Sequence, residues 1–262
     1  MNKLNLHVVM PMAGEGQRFK KEGYAIAKPL IEIDGMTIYE KALSSLDDFS
    51  AKHPECNISH TFIVREEFKE DNIGEKIHSI FPDANIIYVE KTTNGALETS
   101  YLAVPYIKDD EGVILMDCDM YFQCQSFVET VKQQLATGNP NPCLLTFDET
   151  NPRFSYVSIN ENGFAKEVVE KQPISNNAIL GCYFAGSGHL FKTMTEKVIE
   201  DWHDKKIESK EIYTSLLFNV YSKTCSVNVI KIDESKGEHY VSMGTPEEFE
   251  KAKTFFNSTY TI

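Results

Sequence analysis

The sequence predicts an α/β fold, with a mixed, mostly parallel central sheet flanked by helices and a smaller antiparallel strand region in its second half. Three observations carry that expectation. Short apolar runs alternate with amphipathic stretches before about residue 140, the rhythm of βαβ units. From about Pro142 four short strand-like runs follow one another, separated by turn signals. The 262 residues are 42% hydrophobic and 25% charged, which is enough apolar material for one full core and excludes disorder.

Each element follows from its local pattern. Leu4 to Pro11 reads as a buried strand, and the apolar positions 36, 39, 42, 43, 46 and 49 make a helical stripe over Met36 to Phe49. Thr61 to Val64 is a strand, Glu66 to Phe81 a helix despite Gly74, and Asn85 to Val89 a strand. Ala96 to Ile107 is a helix interrupted at Pro105, Gly112 to Cys118 a continuous apolar strand, and Phe127 to Ala136 a helix. The four later runs are Cys143 to Phe147, Tyr156 to Ile159, Ala165 to Val169 and Leu180 to Ala185, with a hairpin signal at 160–163. Helices near Leu190 to Trp202 and Glu211 to Tyr221, a strand at Val227 to Ile232 and a helix from Pro246 to Phe256 complete the reading. The last helix opens Thr245-Pro246-Glu247-Glu248: a cap, a first-turn proline, and acids at the positive end of the dipole. No repeat or linker interrupts the chain, so a single domain over 1–262 is expected.

Charge narrows the function classes. With 26 basic against 39 acidic residues the net charge is −13, which argues against nucleic-acid binding, since that needs a basic footprint. No export signal opens the sequence, and no run reaches the roughly 18 apolar residues of a membrane span, so a cytoplasmic protein is expected. Six scattered cysteines without a C-x-x-C pair read as reduced thiols, and the seven histidines form no metal-binding spacing. An apolar surface around Phe249, Phe255 and Phe256 would permit a homodimer.

The chemistry concentrates after the first strand, in Pro11-Met12-Ala13-Gly14-Glu15-Gly16-Gln17-Arg18-Phe19. Two glycines one residue apart let the backbone turn and turn N–H groups toward phosphate oxygens. It is not a P-loop, and Phe19 stands where the third glycine of a dinucleotide fingerprint belongs. Arg18 and then Lys28 add two cations to the same segment, which suits a polyphosphate. Asp117 and Asp119 end the apolar strand at its C-terminal edge, where open α/β sheets bind ligands, and carboxylates there suit Mg²⁺ or merely cap a turn.

These segments resemble a known family. Gly14-x-Gly16-x-Arg18-Phe19 and then Lys28-Pro29-Leu30-Ile31-x-Ile33-x-Gly35 resemble the signature of sugar-phosphate nucleotidyltransferases, or pyrophosphorylases. The resemblance continues through Asn94-Gly95-Ala96, Met116-Asp117-Cys118-Asp119, Glu170-Lys171, Gly181-Cys182-Tyr183-Phe184 and Gly244-Thr245-Pro246-Glu247, almost the whole chain. Phe154-Ser155-Tyr156 and Glu170-Lys171-x-Pro173-Ile174-Ser175 are similar to a subgroup from capsule and lipopolysaccharide gene clusters that includes cytidylyltransferases. The resemblance implies a Rossmann-like (GT-A-like) sheet whose part before about residue 140 binds a nucleotide and whose part from 141 supplies an acceptor pocket.

It also implies a reaction, transfer of a nucleotidyl group from an NTP, with a lean to CTP, onto a small phosphomonoester, releasing pyrophosphate. Arg18 and Lys28 become the catalytic cations; Met12, Ala13, Gly14, Gly16, Thr93 and Gly95 hold the nucleotide, with Gly95 leaving room for the base. Asp119 and Asp117 hold Mg²⁺; Glu170, Lys171, Tyr156 and Gly181 bind the acceptor, Lys171 taking its phosphate. The chain departs from the family pattern at Ser242, where a second metal aspartate usually stands. Arg65, Lys91 and Arg153 read as surface charges. Roughly six negative charges converge in such a site, against about five positive ones from Arg18, Lys28, Lys171 and Mg²⁺. Two other readings compete: a glycosyltransferase using Asp117-x-Asp119 as its D-x-D strand end, and a non-catalytic nucleotide-binding protein.

Overall fold

In a computed structural model, which describes residues 4–51, 56–138 and 140–259, the expected α/β architecture is present. In chain order the elements are β1 (Leu4–Met12), α1 (Gln17–Lys21), β2 (Glu32–Ile33), β3 (Met36–Thr37), α2 (Ile38–Leu43), α3 (Asp47–Ala51), β4 (Cys56–Arg65), α4 (Ile73–Ile80), β5 (Asn85–Val89), α5 (Ala96–Tyr101) and β6 (Gly112–Met116). Then come β7 (Met120–Gln123), α6 (Gln125–Ala136), β8 (Cys143–Asp148), β9 (Ser155–Ile159), β10 (Ala165–Glu170), β11 (Asn177–Ser187), α7 (Gly188–His203), α8 (Thr214–Thr224), β12 (Asn228–Lys231), β13 (His239–Ser242) and α9 (Pro246–Thr259).

One sheet runs in the order β10-β9-β11-β6-β1-β4-β5, with β8 joining β11 to β12. The strands β6-β1-β4-β5 are parallel, as their crossover helices require, while β11 meets β6, β8 and β9 antiparallel. β11 belongs to the second part of the chain and β6 to the first, so the same sheet serves both. β1 is buried on both faces from Leu6 to Met10, which explains its apolar character around a single buried polar residue, His7. Leu6, Val8, Met10 and Met12 face one core with Phe62, Phe127 and Tyr39; Val9 faces the other with Leu97, Phe191 and Phe218. Buried His7 pins three strands laterally, through Thr61 (2.8 Å), Ser59 (2.9 Å) and Glu111 (3.2 Å).

Several predicted helices are divided, each for a local reason. The stripe over Met36 to Phe49 starts only after Thr37, whose hydroxyl and Glu40 form a capping box. It then tightens at Ser44–Leu46, where Ser45 accepts a hydrogen bond from the Phe122 amide at 2.9 Å. Glu66 to Phe81 is split at Asn72, which sits in the left-handed region (φ 55°). Gly74 survives inside α4 because a Cβ there would lie 2.3 Å from the Tyr88 hydroxyl. The apolar strand from Gly112 ends at Met116, two residues short of Cys118, freeing 117–119 to turn.

Pattern reading missed the ribbon of β7 and β13, whose four-residue strands are too short to show a period. It pairs Met120 with Ser242, and the Met243 amide bonds the Asp119 carbonyl at 2.7 Å. The surface expected around α9 is mostly interior. Phe249 and Phe256 are buried and pack with Phe19, Ile38 and Met243, and Phe255 is partly buried against them. No described helix is long and apolar enough to cross a membrane, and none of the six cysteines is in a disulfide.

Candidate active site

The loop Ala13–Gly16 leaves β1 at its C-terminal end and enters α1 through Gly16, which is left-handed at φ 64°. A Cβ on Gly16 would also press on the Lys28 Cβ at 3.3 Å, so two constraints select glycine there. The loop, together with Thr92–Ala96 and the 210–211 segment, encloses an open cleft of about 860 Å³. Arg18, Lys28, Lys210, Asp117, Asp119 and Gly244 line it as well. A second recess of about 330 Å³ adjoins it and shares Arg18, Ala96, Asp117, Asp119 and Gly244. Its remaining wall carries Arg153, Ser155, Glu170, Tyr183, Tyr213, Ser215, Tyr240, Ser242 and Glu248.

Lys28 stands where the two cavities join. Its ammonium pairs with the Asp119 carboxylate, bonds the Gly244 carbonyl at 3.3 Å and lies 5.4 Å from the Phe19 ring centre. Burial opposes charge on Lys28, but Asp119 outweighs it and holds the ammonium firmly protonated, raised above its usual range. Burial also opposes charge on Asp119, yet Lys28 keeps that carboxyl below the usual carboxylate range. Asp117 is different. Burial, with the neighbouring Asp119 charge and Glu170 behind it, pushes its carboxyl up to about 7.

Two carboxylates and one ammonium leave the junction short of positive charge. Among the described residues no group of three or more His, Cys, Asp or Glu forms a metal cage. Asp119, with Asp117 beside it, therefore fits a Mg²⁺ that takes its other ligands from substrate phosphates and water, the usual arrangement for that ion. Ser242 lies on the rim of the recess, its hydroxyl accepting from the Gly244 amide at 3.3 Å.

The structure gathers most of the predicted residues and rearranges the reasons for several. Arg18, Lys28, Ala13, Gly14, Gly16, Thr93, Gly95, Asp117 and Asp119 all line the larger cleft. Met12 contributes its backbone at the edge while its side chain is core. Gly95 lines the cleft and is also constrained from behind: a Cβ would lie 2.5 Å from the Ile212 carbonyl oxygen. The Ile212 amide bonds Asn94 O, and Ile212 O accepts from Leu97, so the 210–214 segment is strapped onto this loop. Thr93 turns inward, bonding Thr99 (2.6 Å) and Gly95 O (3.0 Å).

Gly181 does not offer its surface as an open acceptor contact alone. A Cβ there would lie 2.2 Å from the Asp117 carboxylate, and its carbonyl accepts from the Asp117 amide at 2.7 Å. Glu170 does face the recess, its Oε2 accepting from Ser155 and, at 2.8 Å, from Ser215. Lys171 does not. In left-handed backbone (φ 56°), it lays its half-exposed side chain on Tyr213, 3.0 Å from the hydroxyl. Tyr156 is fully buried and bonds the Asn151 carbonyl at 2.6 Å, so it shapes a loop instead of touching an acceptor. Arg153 is exposed, as its reading as a surface charge expects, but it also lines the recess, whereas Arg65 is mostly buried against Glu67. The sequence signal for Arg153 was its place directly before Phe154-Ser155.

Comparison with solved structures gives the same architecture. A nucleoside-diphosphate-sugar pyrophosphorylase from Vibrio cholerae superposes with a TM-score of 0.75 at 20% identity, covering 93% of this chain and 98% of that one. This chain shares that protein's fold. A UTP-bound UGPase from Acinetobacter baumannii matches at 0.72 with 12% identity, over 98% and 95% of the two chains. An inositol-1-phosphate CTP transferase from T. maritima matches at 0.68 with 15% identity, over 94% and 91%. No family model matches the sequence, and no curated protein does.

Proposed function

We propose that this chain is a nucleotidyltransferase that moves NMP from an NTP to a small phosphomonoester and releases pyrophosphate. The observation that carries the reading is Lys28 in the glycine-loop cleft, bonded to Asp119 and the Gly244 carbonyl, which the cleft shares with an adjoining recess walled by carboxylates and hydroxyls. An oxygen of the acceptor phosphate attacks the α-phosphorus, the bond to the β-phosphate's bridging oxygen breaks, and pyrophosphate carries the electron pair away. The acceptor phosphate is ionised near neutral pH, so no general base is needed and alignment with charge stabilisation suffices. Backbone N–H groups of 13–16 and Arg18 grip the β- and γ-phosphates. Lys28 stabilises charge at the α-phosphate, exchanging Asp119 for it. Asp119 and Asp117 would hold Mg²⁺, which supplies neutralisation of the triphosphate. Glu170, braced by Ser155 and Ser215, accepts from acceptor hydroxyl or amine groups.

The lean to CTP and to surface-polysaccharide precursors rests on the motif resemblance alone. The experiment is a screen of five NTPs against a panel of sugar, polyol and amino-alcohol phosphates with Mg²⁺, scored by released pyrophosphate. Pyrophosphate formed only with NTP and acceptor together supports the reading. Nucleoside diphosphate in its place, from nucleotide sugars, means glycosyl transfer, and tight NTP binding without turnover means a binding protein.

A further inference from the structure

The recess that adjoins the donor cleft is lined by four carboxylates, Asp117, Asp119, Glu170 and Glu248, and only two basic side chains, Arg18 and Arg153. A dianionic phosphate entering there must find a cation on the acceptor side. Lys171 is turned onto Tyr213 and is not part of the lining, so Arg153 is the basic group in place. Its loop is built to hold it. The Arg153 amide bonds Asn151 Oδ1 at 3.2 Å, the Phe154 amide bonds Asn151 O, and the buried Tyr156 hydroxyl bonds that same carbonyl. The guanidinium then lies 4.4 Å from the Phe154 ring centre and is ion-paired with Glu248 Oε1.

Glu248, the acidic partner of that guanidinium, sits on the wall of the recess. A Cβ placed on Gly244 would be 3.4 Å from Glu248 Oε2 and 3.3 Å from Asp119 Oδ2, so both carboxylates face the same small space. The two sides of the junction thus match: Lys28 occupies Asp119, and Arg153 occupies Glu248. We infer that Arg153 is the acceptor-phosphate residue of this site, released to the incoming phosphate by Glu248 as Lys28 is released to the donor by Asp119. Arg suits this task because its planar fork meets two phosphate oxygens at once. Glu248 is not stranded by the exchange. Although burial opposes its charge, Arg153 and then the Ser242 and Thr245 hydroxyls keep it ionised, and the hydroxyls remain. An aspartate at 242 would remove one of those donors and add repulsion, which gives the serine a reason to be there.

The inference rests on the nucleotidyltransferase reading, and calorimetry with methyl phosphate tests it, with pyrophosphate present at saturation to fill the donor cleft. Arg153→Gln should weaken methyl phosphate by about tenfold or more, Arg153→Lys by a few-fold because it keeps charge without the fork. Glu248→Gln should tighten binding a few-fold by removing the competing carboxylate, while Lys171→Gln should leave it within about twofold. A structural role for the pair would weaken binding in both Arg153 and Glu248 variants. That result, or a tenfold loss in Lys171→Gln with none in Arg153→Gln, overturns the inference and leaves the nucleotidyltransferase reading intact. A wild-type chain that binds pyrophosphate but no methyl phosphate overturns both.

Discussion

The donor cleft and the acceptor recess lie side by side but are made in different ways. The cleft is framed by two local loops, Ala13 to Gly16 and Thr92 to Ala96, with Arg18, Lys28 and the two aspartates set around them. The recess is side chains from distant segments, with Asp117, Arg153, Glu170, Tyr213, Ser242 and Glu248 each on a different stretch of chain. A backbone cradle tolerates little variation and announces itself by its glycines. A side-chain recess can be re-lined one residue at a time without disturbing the sheet beneath it, which is where differences between acceptors are written.

That contrast is sharpest at Lys28, which lines the cleft and bonds Asp119 and the Gly244 carbonyl, two residues shared with the recess. Lys28→Ala should lower turnover by about 10²–10³-fold, the loss typical for a preorganised charge at the reacting centre, with little change in thermal midpoint. Turnover near the wild-type rate in a pyrophosphate-release assay would break the assignment. Next in size is Gly181→Ala, which drives a methyl into the Asp117 carboxylate. Overpacking of this kind costs about 1–3 kcal/mol, read as a lower urea midpoint, and should raise the Mg²⁺ concentration needed for half activity. An unchanged magnesium requirement would separate Asp117 from the ion.

Glu170→Gln touches the recess alone. It should raise KM for the acceptor about tenfold and leave KM for the NTP within about twofold, since one charged hydrogen bond is worth about 1.5–3 kcal/mol. Equal rises in both would erase the division between the cavities. The smallest effect lies outside both, at His60 on β4. Burial, with His7 nearby, lowers its pKa from 6.5 to about 4. The unfolded chain therefore binds the extra proton first, so the neutral ring's contribution is complete above pH 6.5 and is lost as pH falls toward 4. His60→Phe should flatten the thermal midpoint against pH over that interval, and an unchanged slope would assign the acid sensitivity elsewhere.

Legibility in the sequence follows the same division. β5 matches its reading from Asn85 to Val89 residue for residue, and β8, β9 and β10 agree to within a residue at each end, because their apolar runs are bounded by turn residues. The glycine loop, Lys28 and the aspartates at the end of β6 were legible for a similar reason: each is local. Tyr156, Lys171 and Arg153 were not. Whether a tyrosine buries its ring or a lysine folds onto Tyr213 is decided by residues more than forty positions away or by backbone φ, which single-sequence pattern does not carry. The divided helices failed for a smaller cause, a left-handed Asn72 and a serine reaching across to Phe122.

The pairing of β7 with β13 also fixes when this corner comes into being. Asp119 leaves the ribosome about 120 residues before the segment of β13 and Met243 that clasps its carbonyl. A nascent chain can lay down β1, β4, β5 and β6 side by side, yet its aspartate turn stays unfastened until 239–243 emerges. A truncation at 238 keeps every strand of the central sheet, removes β13 and α9, and should leave the 117–119 turn unfastened.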